Sequence, residues 1–395
     1  MPSLANNSQC TGCTACYVSC PKNCITMQQD KYGFVYPKID LKLCINCKKC
    51  ESVCPVIVGN QEATNVPSVY AAYSLDENVR MESSSGGIFS LIANEILRQG
   101  GAVFGAIYDN QYRVKHVCIQ KLSDLPALRG AKYAQSELNN CFIDVQQRLK
   151  AKQKVMFVGT PCQIAGLKTF LKKEYEDLFT VDFVCHGVPA PSVWKKYVQY
   201  RAKKDNGGIL PTNINLRSKK TGWSKYRYSN QYIYSNSKVY SALSGDDLFM
   251  RLFVGDYINR VSCANCHFKG YKRGSDITLG DFWGIWDIDP ELDDNKGVSL
   301  VLVHSDNGHD MMKRISAKVV MKEFTMRQAT TQNPSLLFSS SAAHERVQVL
   351  DQCIEGKFDE IAEFLSKKDA ERSSCAGLIG RAFRKIKRKL KSIKL

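Results

Sequence analysis

Two evenly spaced cysteine runs near the start of this 395-residue chain constrain it more than any other feature. The first is Cys10-x2-Cys13-x2-Cys16-x3-Cys20-Pro21, and the second is Cys44-x2-Cys47-x2-Cys50-x3-Cys54-Pro55. Each reproduces the bacterial spacing for a pair of [4Fe–4S] clusters, in which three cysteines wrap one cube and the fourth reaches the other. On that pattern Cys10, Cys13, Cys16 and Cys54 ligate one cluster, and Cys44, Cys47, Cys50 and Cys20 the other. Two zinc sites fit poorly, because zinc takes separated C-x-x-C pairs rather than four ligands within eleven residues. Cys24 follows the first run by four residues and matches no ligand position.

Nine of the chain's seventeen cysteines lie in the first 54 residues, eight of them in these runs. The N-terminus, MPSLANNSQC, has neither a basic start nor an apolar core, so no signal peptide is expected. A dense cysteine count in a reducing compartment points to metal before disulfides, and a cytoplasmic location is expected. The formal net charge of +17 is uneven: residues 376–395 carry eight Lys or Arg and no acid. The rest of the chain is only modestly basic, and no nucleic-acid partner is expected.

Between the runs, ITMQQDKYGFVYPKID reads as a hairpin turning near Asp30 to Gly33. Residues 59–68 are polar and read as a linker. From Val69 the pattern alternates: SVYAAYS as a strand, SGGIFSLIANEILRQG as a helix with Ile88, Leu91, Ile92 and Ile96 on one face, GAVFGAIYD as a strand. The same alternation continues through LNNCFIDVQQRLKAK, KVMFVGTPCQIAGLKTFL, LFTVDFVCHG, DITLGDFWG and VSLVLVHSD. Residues 211–242, rich in Tyr and Ser, read as a β-hairpin insertion. The expected fold is an α+β ferredoxin-like two-cluster module followed by an α/β flavin-binding body carrying that insertion. The corresponding segments are 1–58 (ferredoxin), 59–68 (linker), 69–150 and 151–330 (the two parts of the body), 331–375 (helical) and 376–395 (basic tail).

Four further cysteines sit at suggestive places in the body. Cys162 opens the helix after Gly159-Thr160-Pro161, Cys185 ends a strand before His186-Gly187, and Cys263 and Cys266 form a C-x-x-C. A helix N-terminus favours a thiolate, which makes Cys162 a candidate ligand or nucleophile; simple packing of these thiols is the alternative. Cys263-Ala-Asn-Cys266-His267 also spells the attachment signature of c-type haem, which is rejected because haem is attached outside the cytoplasm. Cys118, Cys141, Cys353 and Cys375 show no metal spacing.

Clusters move one electron at a time, so a chain joining them to a large α/β body commonly uses a flavin to pair electrons. No GxGxxG follows a strand and no GxxxxGK[ST] is present. The best phosphate cradle is Ser83-Ser84-Ser85-Gly86-Gly87 at a helix start, which is equally an ordinary N-cap. Arg129-Gly130-Ala131-Lys132-Tyr133 offers cations to the same anion.

Five ordered segments carry a family resemblance: SSSGGIFSLIANEILRQGGAVFGAIYD, RGAKYAQS, VGTPCQIAGLKTFL, DFVCHGVPAPSVWKKY and CANCHFKGYKRGSDITLGDFWGIW. Over roughly residues 68–330 the chain resembles the beta subunits of coenzyme F420-reducing hydrogenases and dehydrogenases. The resemblance implies an FAD exchanging electrons between iron–sulfur clusters and a two-electron partner. That partner is a deazaflavin, or a polysaccharide-pathway compound, since bacterial proteins of this type resemble gene products encoded among polysaccharide-assembly enzymes. It also implies a third [4Fe–4S] cluster on Cys162, Cys185, Cys263 and Cys266, and flavin contacts from Ser84, Ser85, Gly86, Gly87 and Lys132. His186 and Asp281 lie in the same segments as proton-relay candidates or structural residues. The fused ferredoxin and the basic tail depart from the hydrogenase subunits.

In the tail, Ile379, Phe383, Ile386, Leu390 and Ile393 form one helical stripe opposite eight cations. This pattern suits an interfacial helix on the anionic inner face of a membrane, a helix docked on its own body, or a solvated end. Two function classes follow from the whole reading: an oxidoreductase, or a non-catalytic electron-transfer subunit working with a redox carrier or partner protein.

Overall fold

A computed structural model describes residues 1–59 and 66–371; Cys375 and the basic stripe of residues 376–395 lie outside the described residues. The N-terminal module is built on β1 (Ile25–Gln29) and β2 (Val35–Ile39), an antiparallel pair in which Ile25 faces Ile39 and Gln29 faces Val35. The turn closes on Asp30, whose carboxylate accepts the N–H groups of Tyr32 and Phe34, both at 2.9 Å. Gly33 takes φ of +87°, a left-handed conformation that a side chain would oppose. Short helices Ala15–Val18 and Lys49–Ser52 flank the hairpin.

The remaining strands are β3 (Ser68–Ser74), β4 (Ala102–Tyr108), β5 (Val114–Ile119), β6 (Val155–Val158), β7 (Leu178–Phe183), β8 (Asn213–Ser218), β9 (Ser229–Ile233), β10 (Val239–Leu243), β11 (Ile277–Asp281), β12 (Ser299–Val303) and β13 (Val319–Phe324). Eight of them form one mixed sheet in the order β13-β3-β12-β11-β7-β6-β4-β5. β4, β6, β7 and β11 are mutually parallel. β3 shares their direction, because it is antiparallel to β12 and β12 is antiparallel to β11. Five strands therefore end at one edge, and in open α/β sheets that carboxyl edge is where ligands bind.

Alternation along the strands divides the core. Val103 and Met156 pack on one face with Ile88, Ile92 and Ile96 of the helix Ile88–Arg98. Their neighbours Phe104 and Phe157 turn to the other face and meet Phe142, Ile164 and Leu167. Cys13, Ala15 and Val53 of the N-terminal module join that second face, so the module is seated on the sheet through buried apolar contacts. A separate aromatic cluster around Trp194, Tyr197, Tyr232 and Phe249 joins the helix Pro191–Asn206 to the smaller sheet and to the helices after residue 345.

Two features differ from the sequence expectation. The insertion is a three-stranded antiparallel sheet, β8–β9–β10, rather than a hairpin. Strands β5 and β13 have no counterpart in the sequence reading. Both are edge strands; the polar residues in VKHVCI and VVMKEF break the apolar runs that mark buried strands. Among the described residues, no helix is long and apolar enough to cross a membrane.

Candidate functional site: three groups of cysteines and the carboxyl edge of the sheet

In each N-terminal run the backbone is left-handed on both sides of the second cysteine, at Gly12 and Thr14 in the first and at Asn46 and Lys48 in the second. Such turns shape the N–H concavities that hold anionic clusters. Cys10, Cys13, Cys16 and Cys54 come together around one void, near enough to repel one another as thiolates. Burial is the larger influence, pushing Cys13 up to about 12. Cys20, Cys44, Cys47 and Cys50 line a second void. The fourth cysteine of each run thus crosses to the other group, as the spacing leads one to expect. Cys24, which matches no ligand position, is buried in this second void with its Sγ 3.3 Å from that of Cys20. Spacing carried no signal of that placement.

The body's four cysteines arrive from three separate elements. Cys162 lies in the first turn of the helix Pro161–Leu171, behind a capping box made by Thr160 and Gln163, with its Sγ 3.1 Å from Thr160 Oγ1. Cys185 follows β7; Cys263 lies in the short 3-10 turn Val261–Asn265, and Cys266 directly follows it. Burial first, then repulsion among the four, pushes Cys185 up to about 11, Cys263 to about 12 and Cys162 well above the usual thiol range. The helix terminus therefore does not by itself make Cys162 a thiolate: burial outweighs it. Four such thiols ionise together only with positive charge among them, which is what an iron–sulfur core supplies. Lys269 adds charge nearby, donating to the carbonyls of Cys185 and Ser335. Among the described residues no three His, Cys, Asp or Glu side chains form a group that could hold a single metal ion. His267 is exposed, and Cys263 lies near enough to Cys185 and Cys266 to repel them as thiolates. Cys118, Cys141 and Cys353 join none of the three groups; Cys353 is buried in the aromatic cluster.

The module and the body meet at these cysteines. A Cβ at Gly166, one helical turn after Cys162, would come within 2.9 Å of both Cβ and Sγ of Cys13. Arg260, 2% exposed, donates to the carbonyls of Cys10 at 2.8 Å and Val35 at 3.0 Å and to Gln135 at 2.8 Å. Its own carbonyl accepts the N–H of Cys263 at 3.0 Å. One residue therefore spans from the first group to the third.

On the carboxyl edge of the sheet lie the segments expected to meet a flavin. Ser85 Oγ donates to Val298 O at 3.0 Å, and the N–H of Gly86 to Ser299 Oγ at 2.9 Å. Gly86 has no room for a side chain, since a Cβ would run into the backbone of Ala72 and Ser299. Gly87, at φ +90°, begins the helix Ile88–Arg98 with no side chain capping its first turn. Lys132 turns back onto the carbonyls of Leu128, Arg129 and Gly130, and burial pushes its ammonium down to about 7. Arg129 binds Ser90 and Glu82, which brings the two segments together. Ser85, Gly86 and Lys132 are thus engaged within the protein, leaving the Ser84 hydroxyl and the uncapped helix terminus for an anion.

Sequence reading missed Arg217, which nothing in its local pattern marks. Its guanidinium lies over the rings of Tyr228 and Trp283, pairs with Asp281 at 2.8 Å, and leaves a buried Nε without a partner. Burial opposes its charge, but Asp281 and the phenols of Tyr133 and Tyr228 hold it firmly protonated. Asp281 also accepts from Trp223 Nε1 at 3.2 Å, so its carboxylate is committed to neighbours. His186 Nε2 stands 2.9 Å from Asp256, and its ring meets Phe253 edge-on; Phe253 in turn packs on Tyr133. An orphaned guanidinium nitrogen, aromatic faces and an open helix N-terminus on one edge fit an anionic, planar cofactor.

Comparison with known proteins places this arrangement. Residues 69–142 match the model for the N-terminal part, and residues 152–328 the model for the C-terminal part, of the coenzyme F420 hydrogenase/dehydrogenase beta subunit. Residues 9–58 match the 4Fe-4S dicluster domain. A coenzyme F420-dependent sulfite reductase from Methanocaldococcus jannaschii is 24% identical over 189 residues, which is 47% of this chain and 29% of that protein. The chain thus spans less than a third of that relative. A ferredoxin-like protein in the nif region of Sinorhizobium fredii is 44% identical over 55 residues, 12% of this chain and 78% of the relative. A chain of the F420-reducing [NiFe] hydrogenase complex from Methanosarcina barkeri aligns with 77% of this chain and 93% of its own, at 14% identity and a TM-score of 0.46. With both parts of its body and its cysteine-rich module matched in order, this chain belongs to the coenzyme F420 hydrogenase/dehydrogenase beta-subunit family, with a 4Fe-4S dicluster ferredoxin domain fused in front.

Proposed function

We propose that the protein is an iron–sulfur flavoprotein oxidoreductase, passing electrons between ferredoxin-type clusters and FAD and on to a two-electron partner. The reading is carried by one observation: Cys13 against Gly166, and Arg260 between Cys10 and Cys263, join the N-terminal cysteines to the body's group. Cys10, Cys13, Cys16 and Cys54 hold one cluster, Cys20, Cys44, Cys47 and Cys50 a second, and Cys162, Cys185, Cys263 and Cys266 a third. Bound clusters supply one-electron steps, and a bound FAD couples these to a two-electron step. Ser84, the uncapped start of the helix Ile88–Arg98 and Arg217 serve the anionic part of the flavin, with Gly86 and Gly87 shaping the loop. Lys132 holds the neighbouring loop through its three carbonyls rather than by touching the cofactor. The two-electron partner is deazaflavin-like or a compound of a polysaccharide pathway. The beta-subunit character of the family favours a second reading, a non-catalytic electron-transfer subunit of a larger redox complex.

Anaerobic purification with iron, sulfide and flavin analysis tests the cofactor set. About twelve irons and one FAD per chain are expected; eight irons without flavin would remove the third cluster and the FAD together. Turnover of a two-electron substrate by the isolated chain favours the enzyme, and turnover only with a partner favours the subunit.

A further inference from the structure

The second cysteine group faces outward. Cys50 is buried within the module but Cys47 is exposed, whereas Cys13 of the first group is buried against the body. Around it, Leu41, Leu43 and Ile45 are 55%, 56% and 58% exposed within five residues. Contiguous exposed aliphatic side chains are unusual on a free surface and mark contact sites. Ile45, Lys22 and Lys48 line the mouth of the void that holds these cysteines. Lys42 and Lys49, exposed in the same stretch, bring the cations of this rim to four, and none of the four forms an ion pair among the described residues. The acids nearby are engaged by backbone: Asp40 accepts the N–H of Lys42 at 2.9 Å, and Glu51 accepts that of Ser3 at 2.5 Å.

From this geometry we infer that the rim formed by Lys22, Leu41–Ile45 and Lys48–Lys49 is the docking face for an acidic, one-electron carrier protein. The inference rests on the function proposed above, because it takes the second cysteine group as the entry point for electrons. An apolar patch of three side chains inside a ring of unpaired cations suits a brief encounter: the charges steer the partner, and the small dry centre lets it leave. The unpaired lysines exclude a basic partner, and the small area excludes a permanent one.

The test uses the anaerobically reconstituted full chain and a reduced flavodoxin of acidic surface, with cluster and flavin bleaching followed separately by stopped flow. Lys22→Glu/Lys42→Glu/Lys49→Glu should slow cluster reduction by flavodoxin at least about tenfold at low ionic strength and flatten its dependence on salt. Reduction by methyl viologen radical, a small cation, should be no slower in the variant, with iron content unchanged. An unaltered flavodoxin rate and salt slope in a variant with intact clusters would overturn the docking face. A failure of the relay itself appears in the other signal, as clusters that bleach while flavin does not.

Discussion

The N-terminal module and the α/β body assemble cysteines in opposite ways. In the module, eight cysteines lie between positions 10 and 54, and short left-handed turns at Gly12, Thr14, Asn46 and Lys48 curl each run around its void. In the body, four cysteines between positions 162 and 266 come near one another because β6 and β7 run side by side and the segment leading into the 3-10 turn at Val261–Asn265 pairs with the residues that follow β7. The first arrangement is local and encoded by spacing. The second is a property of the sheet, and it should fail whenever the sheet fails.

The largest expected effect separates the two regions directly. Replacing Cys263 and Cys266 together by alanine should lower iron from about twelve to about eight per chain while the ferredoxin resonances persist. Loss of all the iron would instead show that the module depends on the body's group. Next in size is Asp182→Ala. Asp182 is buried beside Arg273 at 3.3 Å and accepts the Thr278 hydroxyl at 2.5 Å. Removing one partner of a buried pair strands the other, at a cost of about 3–5 kcal/mol by denaturant titration. The body's cysteine group should disperse at lower denaturant than the module's two, and simultaneous loss would erase the distinction.

Histidine-linked acid sensitivity should be confined to the body, since residues 1–58 contain no histidine. His116 is buried with Nε2 2.9 Å from Val158 O, and burial pushes it down to about 4 from an ordinary 6.5. The folded state keeps it neutral while the unfolded chain takes up a proton. Its contribution, on the order of 3 kcal/mol, is therefore complete above pH 6.5 and lost as pH falls toward about 4. His116→Gln should flatten the fall in unfolding free energy across that window; an unchanged slope would assign the acid sensitivity elsewhere. The smallest effect probes the join. At Gly166→Ala the new methyl presses on Cys13, an overpacking cost of about 1–3 kcal/mol set against a helix-propensity gain of about 1 kcal/mol. A net loss on the order of 1 kcal/mol is expected, with a changed resonance from the Cys13 group; a more stable variant would mean that the two surfaces are not in contact.

Much of this was legible in sequence. The hairpin around Asp30–Gly33, the strand Ser68–Ser74 and the helix Ile88–Arg98 follow from turn chemistry and hydrophobic period. The edge strands β5 and β13 did not, because half-exposed strands lose the apolar run that marks buried ones. The third strand of the insertion escaped for the same reason: β10 is exposed at alternate positions. At the cofactor loop, Ser85, Gly86 and Lys132 read as ligand-facing residues, yet their polar groups are taken up by Val298, Ser299 and three local carbonyls. Pattern alone does not distinguish a loop that binds its own protein from one that binds a ligand.

By itself the sequence determined what rests on short-range geometry: the ferredoxin module, the crossing of its fourth cysteines, and the family to which the body belongs. Tertiary structure alone decided which distant groups face each other. It put Arg217 over the ring of Trp283, and Arg260 against the carbonyl of Cys10. The reason is physical: spacing along a chain fixes neighbours within a few residues, whereas contacts across a hundred residues exist only once strand order brings their loops to one edge.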